Sequence, residues 1–220
     1  MSEMNFEVAR FNMVEQQIRT WEVLDPRVLE LVGRMPREDF VPPVYRKLAF
    51  ADMNIPLGHG QVMMPPKVEA RMLQELEISP EDKILEVGTG SGYMTALLAS
   101  FGAHLYSVEI IPEFSTQAAA KLAALHINNV TLEVGDAARG WDRHPPYDVI
   151  AITGSLPTLP DSFRNSLKVG GRLFAIVGQS PIMEAKLIRR VDEVSWSEAS
   201  LFETALPPLQ NALEPGKFVF

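Results

Sequence analysis

The stretch Lys83–Ala99, Lys-Ile-Leu-Glu-Val-Gly-Thr-Gly-Ser-Gly-Tyr-Met-Thr-Ala-Leu-Leu-Ala, constrains the fold of this chain more than any other. An apolar run closes on an acid, Glu86. A glycine-dense turn follows at Gly88, Gly90 and Gly92, and a helical apolar pattern begins at Tyr93. Strand, tight turn and helix in that order open a nucleotide-binding α/β unit, whose ligands sit beyond the carboxyl end of the strand. The turn departs from the dinucleotide fingerprint, because Tyr93 stands where a third glycine would allow close helix–strand packing. No Lys or Arg lies in the turn to meet a phosphate, and Glu86 would repel one.

Upstream, Phe6, Ala9, Met13, Val14 and Ile18 fall at roughly helical spacing, and Asp25-Pro26 reads as an N-cap with proline at the first helical position. Leu48–Pro66 is rich in breakers (Pro56, Gly58, Gly60, Pro65, Pro66) and reads as an irregular loop, of a length that is more often functional than idle. A helix returns over Lys67–Leu76. Downstream, strands and helices alternate: strands at Leu105–Glu109, Val130–Val134, Tyr147–Thr153 and Gly171–Val177, with a helix over Pro112–His126. Ala185–Val194 and Trp196–Thr204 read as a closing antiparallel pair. The expectation is a doubly wound, mostly parallel Rossmann-like α/β sheet with an N-terminal helical appendage. Residues 1–78 carry the helices and a substrate-side loop, residues 79–220 the ligand-binding core, in one compact unit. Pro145-Pro146-Tyr147 precedes its strand and reads as a turn. Met63 and Met64, with Met72 and Met94, read as gap-filling core.

Three acids give the unit its chemistry. Glu109 ends the second core strand about 20 residues after the first glycine, where a carboxylate accepts both ribose hydroxyls. Asp136 ends the third, placed to accept from an adenine amino group with the Ala137 N–H facing a ring nitrogen, or to cap a short helix running to Trp141. Glu86 is placed to receive a ligand's amino group or to fix the turn. An acidic, phosphate-averse loop suits an adenosine ligand with a cationic, amine-bearing end. S-adenosylmethionine has that chemistry.

Composition removes several classes of function. With no cysteine there is no disulfide, thiolate metal site or catalytic thiol, and the four histidines lack ligand spacing. No metal is expected. A net charge of −8 argues against nucleic acid as a partner. No apolar run is long enough for a membrane span, and Met-Ser-Glu-Met-Asn lacks the features of a signal peptide, so a cytoplasmic location is expected.

Together the glycine turn, Glu109 and Asp136 resemble class I S-adenosylmethionine-dependent methyltransferases. The flanks are more specific. Met13–Arg19, Asp25–Leu29, Val32–Pro42, Asn54–Gln61 and the core strands closely resemble the protein-L-isoaspartate O-methyltransferases. That resemblance implies S-adenosylmethionine as methyl donor, S-adenosylhomocysteine as product, and damaged proteins or peptides bearing isoaspartyl residues as acceptors. It implies cofactor contacts from Glu86, Gly88, Gly90, Gly92, Glu109, Asp136 and Ala137, and a substrate-side loop of His59, Gly60, Gln61, Val62, Met63 and Met64. One departure stands out. Where the family carries Thr-Ile-Ser after Gly-Gln, this chain has Val62-Met63-Met64, so both hydroxyls are gone and no catalytic residue is assigned. Besides isoaspartyl repair, two readings stay open: the same cofactor with a different acceptor, and a weakly active or non-catalytic member of the family. Oligomeric state is not legible.

Overall fold

The computed structural model describes residues 5–214. Helix α1 (Phe6–Met13) is capped by the Asn5 side chain, which accepts from the Glu7 and Val8 N–H groups, and continues through a π turn (Val14–Ile18) and a 3-10 turn (Arg19–Trp21). Helix α2 (Pro26–Arg34) has the expected start: Asp25 accepts from the Arg27 N–H, and Pro26 opens the helix where a missing N–H costs nothing. Short 3-10 turns at Arg37–Asp39 and Pro43–Leu48 follow.

Within Leu48–Pro66 the structure corrects the expectation of irregularity. Strands β1 (Ile55–Gly58) and β2 (Gln61–Met63) form an antiparallel hairpin. Its tip holds three successive left-handed residues, Gly58, His59 and Gly60, with φ of 99°, 52° and 73°. Two glycines there relieve the strain that side chains would meet, so the breakers build the turn instead of dissolving the segment. Helix α3 (Pro66–Leu76) then leads into the core.

The core runs β3 (Lys83–Val87), α4 (Tyr93–Ala99), β4 (His104–Glu109), α5 (Pro112–Ala124), β5 (Val130–Val134), β6 (Tyr147–Leu156), α6 (Asp161–Asn165), β7 (Leu167–Gln179), β8 (Ile182–Arg190) and β9 (Trp196–Glu203). The seven strands lie in the order β5-β4-β3-β6-β7-β8-β9. Strands β5 through β7 are parallel, and β8 and β9 close the sheet antiparallel as expected. The winding reverses between β3 and β6, and ligands of such sheets bind outside the strand ends at this point. Helix α6 was not legible, and the short helix expected from Asp136 to Trp141 does not form. Asp136 instead accepts from the Ala138 N–H in a turn.

Alternate strand residues go to opposite faces. Ile84, Val149 and Ala151 join one apolar cluster, while Leu85, Ile150 and Ile152 join the other. The first cluster also takes Met13, Ile18, Val32 and Phe50, so the N-terminal segment packs into the same core as the sheet. Each such aliphatic or aromatic side chain, fully buried, stabilises by about 1.5–3 kcal/mol. No helix among the described residues is long and apolar enough to cross a membrane. Residues 1–4, read above for a leader, lie outside the described part.

Candidate active site

The carboxyl ends of β3, β4, β5 and β6 surround a partly open cavity, about 570 Å³ of space counted out to solvent. Gly88 and Gly90 form one wall, and Glu109, Ile111 and Phe114 another. Asp136 and Ala137 lie at the third strand's end, and Leu57, Gln61 and Val62 of the hairpin roof it. Among the described residues no lysine, arginine or histidine lines it, and the two charged ones that do are both acids, Glu109 and Asp136. The cavity thus keeps the electrostatic character read from the turn.

Local structure explains the wall. Thr153, at the end of the apolar β6 run, donates to the carbonyls of Val87 and Gly88 at 2.9 and 2.5 Å. Gly88 has φ of 98°, and a Cβ there would run into the Thr153 hydroxyl, so this position requires glycine. Glu109 is buried with its carboxylate divided: Oε2 accepts from the Gly90 N–H at 2.8 Å and Oε1 from the Ile111 N–H at 2.9 Å. Two backbone donors orient it, and each oxygen keeps a lone pair for a ligand hydroxyl. Asp136 uses Oδ1 on the Ala138 N–H and Oδ2 on Asn211.

Glu86 lies elsewhere. It shares a sheet face with Ile84, under α4, and is fully buried. Its Oε2 accepts from the hydroxyls of Thr95 and Ser107, both at 2.6 Å, and its Oε1 has no hydrogen-bond partner among the described residues. Burial pushes its carboxyl up to about 8. Neither Glu86 nor Gly92 lines the cavity. Gly92 instead lets α4 approach α5, where a Cβ would press on Ala118.

A second, smaller cleft of about 280 Å³ adjoins the cavity and shares Leu57, Val62, Gly88, Gly90 and Thr153 with it. It adds Met63, Met64 and Met94, the acid Glu69, and Thr89 and Ser91. The four methionines read as core are buried, and three of them, Met63, Met64 and Met94, also face this cleft. His59 and Gly60 line neither space. His59 sits at the exposed hairpin tip, edge-on to Phe114 and with Nε2 3.4 Å from Glu113. Sequence reasoning missed Thr153, Glu69, Leu209 and Gln210. The last two arrive from the C-terminal segment, which returns across the strand ends through the Leu209 N–H to the Ser155 carbonyl. Only Thr153 carried a signal, as the first polar residue after the β6 run.

The fold is shared with solved methyltransferases. A Plasmodium falciparum structure described as a protein-L-isoaspartate O-methyltransferase in complex with S-adenosyl-L-homocysteine superposes with a TM-score of 0.77 at 16% identity, over 94% of this chain and 99% of that one. Another solved protein-L-isoaspartate O-methyltransferase gives 0.73 at 22% identity, over 90% of this chain and 65% of that one. In sequence, the protein-L-isoaspartate O-methyltransferase of Protochlamydia amoebophila is 41% identical over 81% of this chain and 84% of its own length. Protein-L-isoaspartate O-methyltransferase 2 of Pelobacter propionicus is 37% identical over 94% and 93%. The family model Protein-L-isoaspartate(D-aspartate) O-methyltransferase (PCMT) matches residues 9–212. The chain belongs to that family.

Proposed function

We propose that this protein transfers the methyl group of S-adenosylmethionine to the free carboxylate of an L-isoaspartyl residue in damaged proteins or peptides. The observation that carries the reading is the cavity at the strand ends, lined among the described residues by two acids and no cation, in a member of this family. The residues present fit the donor. Glu109, held by two backbone N–H groups, keeps lone pairs for the ribose hydroxyls, and Asp136 with Ala137 faces the adenine edge. The bare glycine turn admits the methionine end. An acidic surround favours a sulfonium over a phosphate.

When bound, S-adenosylmethionine supplies an electrophilic methyl group. The chain's own residues orient, exclude water and hold. An isoaspartyl carboxylate, with an ordinary value near 4, is already ionised at neutral pH, so no general base is needed. Alignment of acceptor and donor is then the main contribution open to the protein. The hairpin closes the cavity from above, and the cleft beside Met64 opens onto the Gly88–Gly90 wall.

A second reading keeps the donor and changes the acceptor. Leu57, Val62, Met63, Met64 and Met94 make the cleft largely apolar, with Val62 and Met64 where the resemblance puts hydroxyls. The two readings separate in one experiment: labelled S-adenosylmethionine with an isoaspartyl peptide and with its aspartyl twin. Base-labile label on the isoaspartyl peptide alone supports repair. Label absent from both peptides but present on components of a cell extract supports the second reading.

A further inference from the structure

Behind the cleft lies an ion pair that methyl transfer to a carboxylate does not call for. Arg37 is fully buried and Glu69 is 2% exposed. Each nitrogen of the guanidinium has its own acceptor. Nε donates to the Ala49 carbonyl at 2.7 Å, Nη2 to the Met64 carbonyl at 2.6 Å, and Nη1 to the Glu69 carboxylate. The guanidinium also lies over the Tyr93 ring, 4.7 Å from its centroid, and Phe40 packs edge-on against the same ring. Tyr93 is the first helical residue after the glycine turn. One side chain therefore ties five places: the turn after α2, the segment before the hairpin, the residue at the family's serine position, helix α3 through Glu69, and the start of α4.

Stability does not account for this arrangement. Apolar residues of similar volume replace buried ion pairs at little cost, and often with gain. What an arginine supplies that they cannot is a planar fork with fixed donor directions. Burial pushes the Glu69 carboxyl up to about 7 against the pull of Arg37, and of the pair it is Glu69 that borders the cleft, beside Met64, Thr89 and Ser91. Met64 has no side-chain hydroxyl to engage an acceptor, which leaves the position of its backbone as what the loop contributes.

We propose that Arg37 and Glu69 are positioning residues that lock the Met64 backbone, and with it the acceptor-side wall, at a set distance from the glycine turn. The proposal rests on the cleft being the acceptor's side, as under the proposed function, and not on which acceptor it takes.

The test compares the full-length protein with R37K and with the double variant R37M/E69M, which removes both charges together and avoids leaving one unpaired. Hydrogen exchange over residues 60–65 is measured with S-adenosylhomocysteine bound, alongside its affinity and methyl transfer to an isoaspartyl peptide. The proposal predicts a cooperative melt and near-native affinity for S-adenosylhomocysteine in the double variant. It predicts exchange about tenfold faster in the loop but unchanged in β3 and β4, and kcat lower by up to about a hundredfold, as for a misplacement near 1 Å. R37K, which keeps the charge and loses the fork, shows the same loosening. Native loop exchange in a folded double variant overturns the proposal, and so does loss of cooperative folding, which places the pair in the core's stability. If the wild type transfers nothing to the peptide, the repair reading fails, and the exchange measurement still decides the role of the pair.

Discussion

At the scale of single residues, burial decides what each acid does. Glu86 and Glu109 both come from strands that face the glycine turn, yet only Glu109 reaches the cavity. Glu86 points to the α4 side, and burial raises its carboxyl from an ordinary 4.5 to about 8. An unfolded chain therefore loses this proton first, and between those values the native state binds more protons. Stability should then fall as pH rises through that window. Glu86→Gln removes the titration, so thermal melts should show its stability gaining on the wild type from about pH 5 to pH 8. Parallel curves would contradict the assignment. Met64 carries the acceptor question at the same scale. If only a hydroxyl is missing, Met64→Ser should raise kcat/KM for an isoaspartyl peptide about tenfold or more, the worth of a hydrogen bond to a charged group. An unchanged rate would mean a cleft shaped for another acceptor.

At the scale of elements, the turn between β3 and α4 is fixed from three sides: Thr153 on its carbonyls, Glu109 on the Gly90 N–H, and Tyr93 under Arg37. Gly88→Ala would place a methyl group against the Thr153 hydroxyl at a left-handed φ. It should cost about 1–3 kcal/mol in denaturant unfolding and weaken S-adenosylhomocysteine binding measured by calorimetry. Wild-type values for both would rule out the tight approach. This turn was legible in the sequence because its strand, glycines and helix are local, and so was Glu109, whose spacing from Gly88 is a local count. The hairpin was not. Gly58 and Gly60 have the same letters in a disordered loop as in a left-handed turn, and only the pairing of Ile55 with Met63 tells them apart. The direction of Glu86 was hidden because β3 is buried on both faces, leaving no polar alternation to read. Asp136 caps a turn and not a helix: its Oδ1 accepts from the Ala138 N–H, but Gly140, at φ of 123°, leaves the helical backbone two residues later.

At the scale of the whole molecule, the described residues on either side of position 78 share one apolar cluster. The Arg37 guanidinium crosses the same boundary to lie over the Tyr93 ring, and so do the bonds from Arg172 to the Leu76 and Glu77 carbonyls. We therefore expect the full chain to melt in a single transition. A fragment of residues 79–220, stripped of the cover over Ile84, Leu97, Val149 and Phe174, should lack cooperative unfolding by circular dichroism. A cooperatively folded fragment would make the N-terminal segment an independent appendage. None of these long-range contacts has a signature in the sequence, since each partner lies far from the other along the chain. A methyl-transfer site with an acidic donor cavity and an isoaspartyl carboxylate as acceptor is tested by kcat/KM for one isoaspartyl peptide against its aspartyl twin, with S-adenosylmethionine as donor. Turnover of the isoaspartyl peptide alone, giving a base-labile ester, is the predicted result. Equal rates on both peptides, or no turnover of either by protein that binds S-adenosylhomocysteine, would contradict it.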